Sequence, residues 1–121
     1  MPPVVTKAYD LALWLMQKVP KFPRVYRPGL GGRIEGLSLD ILDLLVRAAY
    51  SREKHRFLRE ANLGLERMRH LVRMCRDLNL SSPRQYRFAS EQIDEVGRMI
   101  GGWMKQQVAE AGGRSPSRAG S

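Results

Sequence analysis

A single cysteine, Cys75, excludes an internal disulfide, and its place on an apolar helical stripe marks it as a buried, inert thiol. The two histidines, His55 and His70, lie 15 residues apart without carboxylate or cysteine partners at ligand spacing, so no metal site is expected. No stretch approaches the roughly 18 uninterrupted apolar residues of a membrane span. The N-terminal MPPVVTKAYD carries Asp10 and no long apolar run, so no secretion signal is expected and the chain is placed in the cytoplasm. Acidic residues are scarce. Twelve Asp and Glu stand against 21 Lys and Arg, a net charge of +9, which favours a polyanionic partner: nucleic acid first, an anionic membrane surface second. Most of the excess is arginine, whose planar guanidinium forks onto phosphate and stacks on bases.

Signs of catalysis are also missing. GLGG at Gly29–Gly32 is followed by no Gly-Lys-Ser/Thr and preceded by no strand, so it is loop punctuation and not a phosphate loop. Cys75 has no histidine one turn away, since His70 is five residues back. Asp94 and Glu95 are adjacent and point in different directions on a helix, so they do not form a facing acid–base pair. Neither a Glu-x-x-His pair nor a serine nucleophile motif is present. A binding protein without catalytic residues, cofactor or metal is expected.

What the chain does contain is helical periodicity. At 43% hydrophobic and 27% charged, its 121 residues suffice for one globular domain with a core. Ser51 to Leu80 is the most informative stretch. Leu58, Ala61, Leu65, Met68, Val72 and Cys75 alternate steps of three and four, the stripe of an amphipathic helix. Arg59, Arg69, Arg73 and Arg76 flank that stripe, while Leu63, His70 and Met74 fall opposite it, where a simple surface helix is polar.

Before it, Val4 to Val19 forms a first helix with a Val4, Ala8, Leu11, Leu15, Val19 seam and Ala12 and Trp14 on its shoulders. Pro20 and Pro23 end it, because each removes a backbone donor and restricts the preceding residue. Lys21 to Gly32 is a loop or a broken turn in which Lys21, Arg24 and Arg27 alternate with Phe22 and Tyr26. That pattern suits either a single-strand contact or aromatics pinning the loop to the end of a bundle.

A second helix starts at Leu30 or Ile34 and runs to about Tyr50, with Ile34, Leu37, Ile41, Leu44 or Leu45, and Ala48 as its seam. Leu39, Leu42 and Val46 face elsewhere. The surplus apolar positions Leu39, Val46, Leu63 and Met74 are the expected contacts between copies. Ser51 is the expected cap of the third helix. Ser82-Pro83 opens a fourth, with Gln85 able to complete a capping box. Its seam is Ala89, Ile93, Val96, Ile100 and Trp103. Gly97 and Gly101 within it predict a close approach by another helix, since mid-helix glycine otherwise costs about 1 kcal/mol. The fold expected is all-α, an antiparallel up-down-up-down four-helix bundle over residues 1–110. A disordered, basic, Gly/Ser-rich tail is expected over residues 111–121.

Several segments in this order carry a resemblance. They are Lys7-Ala-Tyr9-Asp10-Leu-Ala-Leu-Trp14, Lys21-Phe22-Pro23-Arg24 with Arg27, Leu30-Gly-Gly-Arg33-Ile34 and Ala48-Ala-Tyr50-Ser51-Arg52. Arg59-Glu-Ala61-Asn62-Leu63, Leu65-Glu66, Arg69 and Asp94-Glu-Val-Gly97-Arg98-Met-Ile-Gly101-Gly102-Trp103 complete the series. With these, the chain resembles the accessory variability determinant (Avd) proteins of diversity-generating retroelements, over nearly all but its last dozen residues. It departs from their pattern at Pro28-Gly29, Gly32 and Gly36, where residues favouring helix are usual.

The resemblance implies a non-catalytic subunit that forms a ring-like homopentamer. Its implied partners are the reverse transcriptase of the same retroelement and its template RNA, in a complex that makes error-prone complementary DNA. Carried over by position, Arg69 and Arg73 are the first residues expected to contact polymerase or RNA, followed by Arg24, Arg27 and Arg33. Arg98, beside the glycines, fits either a contact or a structural role. Two alternatives remain open at the level of sequence. One is a related bundle from intervening sequences of large-subunit ribosomal RNA genes. The other is a generic basic oligomer with no polymerase partner.

Overall fold

A computed structural model describes the backbone of residues 1–120 and the side chains of residues 1–112. Among the described residues there are four α-helices and no strand: α1 (Pro3–Lys18), α2 (Gly32–Tyr50), α3 (Lys54–Asp77) and α4 (Pro83–Gly120). They pack as a helical bundle in which α1 contacts α2 and α4, and α3 contacts α2 and α4. The expectation of a disordered tail over 111–121 falls, beyond Gly112, outside the residues whose side chains are described. No helix among the described residues is long and apolar enough to cross a membrane.

The seams read from periodicity form the core. Val4, Ala8, Leu11, Leu15 and Val19 from the first segment are buried, as are Leu58, Ala61, Leu65, Met68, Val72 and Cys75 from α3. On α2 the choice between Leu44 and Leu45 resolves to Leu45, which is fully buried, while Leu44 packs at the margin. On α4, Ala89, Ile93, Val96 and Ile100 are buried and Trp103 is half-exposed against the core. Ser38 is the one polar side chain in the core among the described residues. Its Oγ donates to the Glu35 carbonyl at 2.8 Å, so its burial leaves no donor unsatisfied.

The connections differ in detail from expectation. Of loop or broken turn, Lys21 to Gly32 is the latter: 3₁₀ turns at Val19–Lys21 and Arg24–Tyr26 lead into a π turn at Arg27–Gly31. Pro28-Gly29 therefore sit in a wide turn that delivers the chain into α2, which begins at Gly32. Phe22 is buried in the core, Tyr26 packs on it, and Arg27 Nε donates to the Phe22 carbonyl at 2.9 Å. The aromatics in this segment pin it to the bundle end.

Ser51 does not cap α3. Its Oγ accepts the Glu53 N–H at 2.9 Å within the bend, and the helix begins three residues later, at Lys54. Lys54 Nζ reaches back to donate to the Ala48 and Ala49 carbonyls at 2.9 and 3.2 Å, satisfying orphan acceptors at the end of α2. At the other end of α3, Asn79 adopts a left-handed conformation (φ 59°), while Leu80 N–H bonds Cys75 C=O at 2.8 Å and Asn79 N–H bonds Arg76 C=O at 3.0 Å. This paired closure is a Schellman motif, with asparagine in the place glycine usually fills. The capping box forms as read: Gln85 N–H donates to Ser82 Oγ at 3.1 Å, and Gln85 Oε1 accepts the Ser82 N–H at 2.9 Å.

The close approach expected at Gly97 and Gly101 lies elsewhere. A Cβ at Gly101 would meet nothing within 4 Å, and one at Gly97 would meet Arg69 and Leu65 at ordinary contact distances. The tight crossing is between α2 and α3 at Gly64, where a Cβ would stand 2.9 Å from Ile41 Cγ1. Periodicity places Gly64 next to Leu65 on the stripe, and only the neighbouring helix reveals why it carries no side chain.

Candidate functional site

The largest share of the net charge lies on α3, which carries seven Lys and Arg against three Asp and Glu. α2, its closest neighbour, carries two against three. Because the apolar stripe of α3 faces inward, its arginines are displayed along two edges and the outer face.

Arg69, Arg73 and Arg98 are brought together along the α3–α4 side. Arg69 lines one shallow furrow with Arg73, His70 and Tyr86, and another with Asn62, Gly97 and Arg98. Arg69 is not free. Its Nε donates to Glu66 Oε1 at 3.0 Å and its other terminus bonds Asp94 on α4. The hydrogen bond to Asp94 is the main cause raising its already high pKa, with partial burial opposing. Arg69 thus ties α3 to α4 through a half-exposed ion pair.

Arg98 bonds Glu95 one turn back on its own helix and extends into solvent. Arg73 approaches Asp77 only at 4.0 Å and is well exposed. Arg76 bonds the same Asp77 at 3.0 Å, and its guanidinium lies 4.7 Å from the Tyr86 ring centre, a cation–π contact that joins α3 to α4.

The remaining candidates are dispersed. Arg59 is on the exposed face of α3, and Arg24 and Arg27 are on the turn segment. Arg33 opens onto a groove between α2 and α3 that also holds Asp40, Gly36 and Arg67. Arg24, Arg33 and Arg59 have no carboxylate within 4.0 Å among the described residues, and neither does Arg67. Sequence reasoning passed over Arg67. Its signal is the four-residue step from Leu63, which places it on the same outer face as Leu63, His70 and Met74.

The surplus apolar positions are displayed as well. Leu63 is 63% exposed, Leu39 48% and Met74 49%, while Val46 is partly covered by the core. Leu63 lines the α2–α3 groove with Leu44, Arg47 and Arg67, so apolar and cationic groups alternate there. The arrangement can bind, through phosphate-pairing cations and uncovered aliphatic side chains.

Among the described residues no group of three or more His, Cys, Asp or Glu could hold a metal ion. Cys75 is buried, and desolvation pushes its thiol up to about 11. It lies in the wall of an apolar cavity of about 60 Å³ at the turn end of the bundle, with Trp14, Lys18, Lys21, Tyr86 and Ser81.

A comparison with curated proteins finds no match. The helices, the packed core and the arginine-bearing α3 all lie within the 4–107 span matched by one family model. By that match the chain belongs to the bAvd-like family.

Proposed function

We propose that this chain is the non-catalytic accessory subunit of a diversity-generating retroelement. In this reading it binds the reverse transcriptase of its own element together with the template RNA, in the cytoplasm, and supports mutagenic complementary-DNA synthesis. The observation that carries the reading is the family match over residues 4–107. It is supported by the cationic surplus of α3 and by arginines left without intramolecular partners.

The proposal includes an up-down-up-down helix order and a homo-oligomeric ring, a pentamer by family resemblance. Support for the helix order is that one cavity is lined by the last turns of α1 and α3 and the first turns of α2 and α4. Support for an assembly is the exposure of Leu39, Leu63 and Met74 on the outer faces of α2 and α3, with Val46 beside them. Removing such area from water contributes about 25 cal/mol per Å².

The ion pairs sort the candidate contacts. Arg69 and Arg98 spend part of their hydrogen-bonding capacity inside the chain and Arg73 approaches Asp77 at 4.0 Å, whereas Arg59, Arg24 and Arg33 have no carboxylate partner among the described residues and are available to phosphate. Charge reversal at Arg69 would also break the α3–α4 tie, so Arg59→Glu with Arg73→Glu is the cleaner pair.

The decisive experiment is co-purification of the tagged chain with the reverse transcriptase and template RNA of its own locus, with and without nuclease. Polymerase retained after nuclease is the expected result, and its loss from the folded double variant is expected to follow. Recovery of nucleic acid alone would reduce the protein to a basic RNA-binding oligomer.

A further inference from the structure

The α1–α4 side carries a feature that the α3 arginines do not explain. Trp14 and Phe88 stand with ring centroids 5.0 Å apart at a 45° tilt. Neither is buried: Trp14 is partly covered by the core, and Phe88 is 43% exposed. Aromatic rings placed only for packing bury most of their 150–250 Å². Here the pair is held at the surface, with Phe88 the more exposed ring and Trp14 partly covered.

The charges around the pair are ordered. Lys18 lies one helical turn beyond Trp14 toward the turn segment, with Nζ 5.3 Å from the Trp14 ring centre. Arg84 lies one turn before Phe88, toward that same end, and is exposed without a carboxylate within 4.0 Å. Lys21 joins Trp14 and Lys18 in the lining of the cavity beneath. The acidic residues of these two faces, Asp10 and Glu91, lie about one turn away in the opposite direction. The platform therefore has a cationic end, which attracts phosphates, and an acidic end, which repels them and confines an anionic strand to the Lys18, Lys21 and Arg84 end. In the cavity wall, Ser81 Oγ is buried and makes no hydrogen bond. An unpartnered buried hydroxyl costs stability unless a ligand or water meets it.

We infer that Trp14 and Phe88, with Lys18, Lys21 and Arg84 at one end, form a stacking site for the bases of single-stranded RNA. The inference rests on the RNA-binding part of the proposed function and locates a contact that composition alone leaves unplaced. Bases stack on the exposed part of the pair, chiefly Phe88, because every base has a π-face, and the three cations take the adjoining phosphates. A cavity of about 60 Å³ is too small for a whole base, so bases stack on the rings outside it and do not enter it.

The test uses the full chain with Trp103→Phe, which leaves Trp14 as the sole tryptophan of the original two. It is titrated with an oligouridylate and with the same oligomer annealed to its complement. Trp14 emission is expected to be quenched by the single strand and much less by the duplex. Phe88→Ala is expected to weaken single-strand binding by about tenfold with helical circular dichroism unchanged. Phe88→Leu, which keeps an apolar side chain but no π-face, is expected to lose comparable affinity, and so covers the case in which the alanine variant does not fold.

Binding by the folded variants within about twofold of the parent, or RNA binding that leaves Trp14 emission unmoved, overturns the stacking site alone. If the parent binds no RNA under any condition, the RNA half of the proposed function fails with it. If reverse transcriptase shields Trp14 from acrylamide and RNA does not, the platform is a protein-docking face and the inference is overturned.

Discussion

The two sides of the bundle are built differently. Between α2 and α3 the helices are so close that a Cβ at Gly64 would stand 2.9 Å from Ile41 Cγ1 and force it to shift. Leu45, Leu58 and Leu65 are buried there to the last ångström of accessible surface or nearly so. Between α1 and α4 the helices make fewer close contacts, and of the aromatic pair Trp14–Phe88 the Phe88 ring is 43% exposed and Trp14 only partly covered. The first side maximises dispersion contacts and apolar burial, the terms that hold a small domain together. The second leaves contact area unused, which costs stability.

Substitutions on each side can sharpen or break this contrast. The largest effect is expected from Leu65→Ala, a cavity in the tight side, with a loss of about 2–5 kcal/mol in urea unfolding. A loss well below that range would mean that the α2–α3 side can collapse around the hole, contrary to its close packing. Gly64→Ala comes next. Overpacking against Ile41 costs about 1–3 kcal/mol, partly offset by a helix-propensity gain of about 1 kcal/mol, for a net destabilisation of about 1 kcal/mol.

Gly101→Ala has the opposite sign. With nothing within 4 Å of its Cβ position, only the propensity term acts, and a rise of up to about 1 kcal/mol is expected in the isolated chain. Failure of that gain to appear in the assembled protein would locate a copy or partner against α4. Phe88→Ala, on the open side, should cost about 1 kcal/mol because half of the ring is already in water.

The Arg69–Asp94 tie is expected to be smaller still. A double-mutant cycle of Arg69→Met and Asp94→Asn should return about 0.2–1 kcal/mol, falling with added salt, because both side chains are substantially exposed. The least visible effect at neutral pH belongs to Cys75. Its folded pKa is raised from 9.0 to about 11 by burial, so the folded state keeps a proton that the unfolded state gives up. The stability contribution is complete below pH 9.0 and is lost as pH rises toward about 11, a fall that Cys75→Ala should abolish in a pH series of urea midpoints.

Much of this was legible before any coordinates. The alternation of three and four along α3 named every stripe residue that is buried there except Gly64. The Ser82–Gln85 spacing foretold a reciprocal cap because that motif is local, requiring only the residues it contains. Ser51 misled because it sits in a bend whose extended backbone uses the hydroxyl before α3 begins, and the bonds from Lys54 to Ala48 and Ala49 span a turn that periodicity does not resolve. The candidate site was legible as a set of arginines but not as an arrangement. Arg69 and Arg73 are alike in spacing and side-chain chemistry. One is tied to Asp94, 25 residues away, and the other points into solvent, a difference set by where α4 lies.

Local interactions thus dictated the helices, their caps and the inward stripes, because propensity, capping and periodicity act within a few residues. Tertiary structure alone decided which glycine accommodates a neighbouring helix, which arginines are left free and where aromatic rings remain uncovered. Each of those depends on the distance between surfaces far apart in the chain. Helical periodicity gives a residue its direction, and only the packed neighbour determines what it meets.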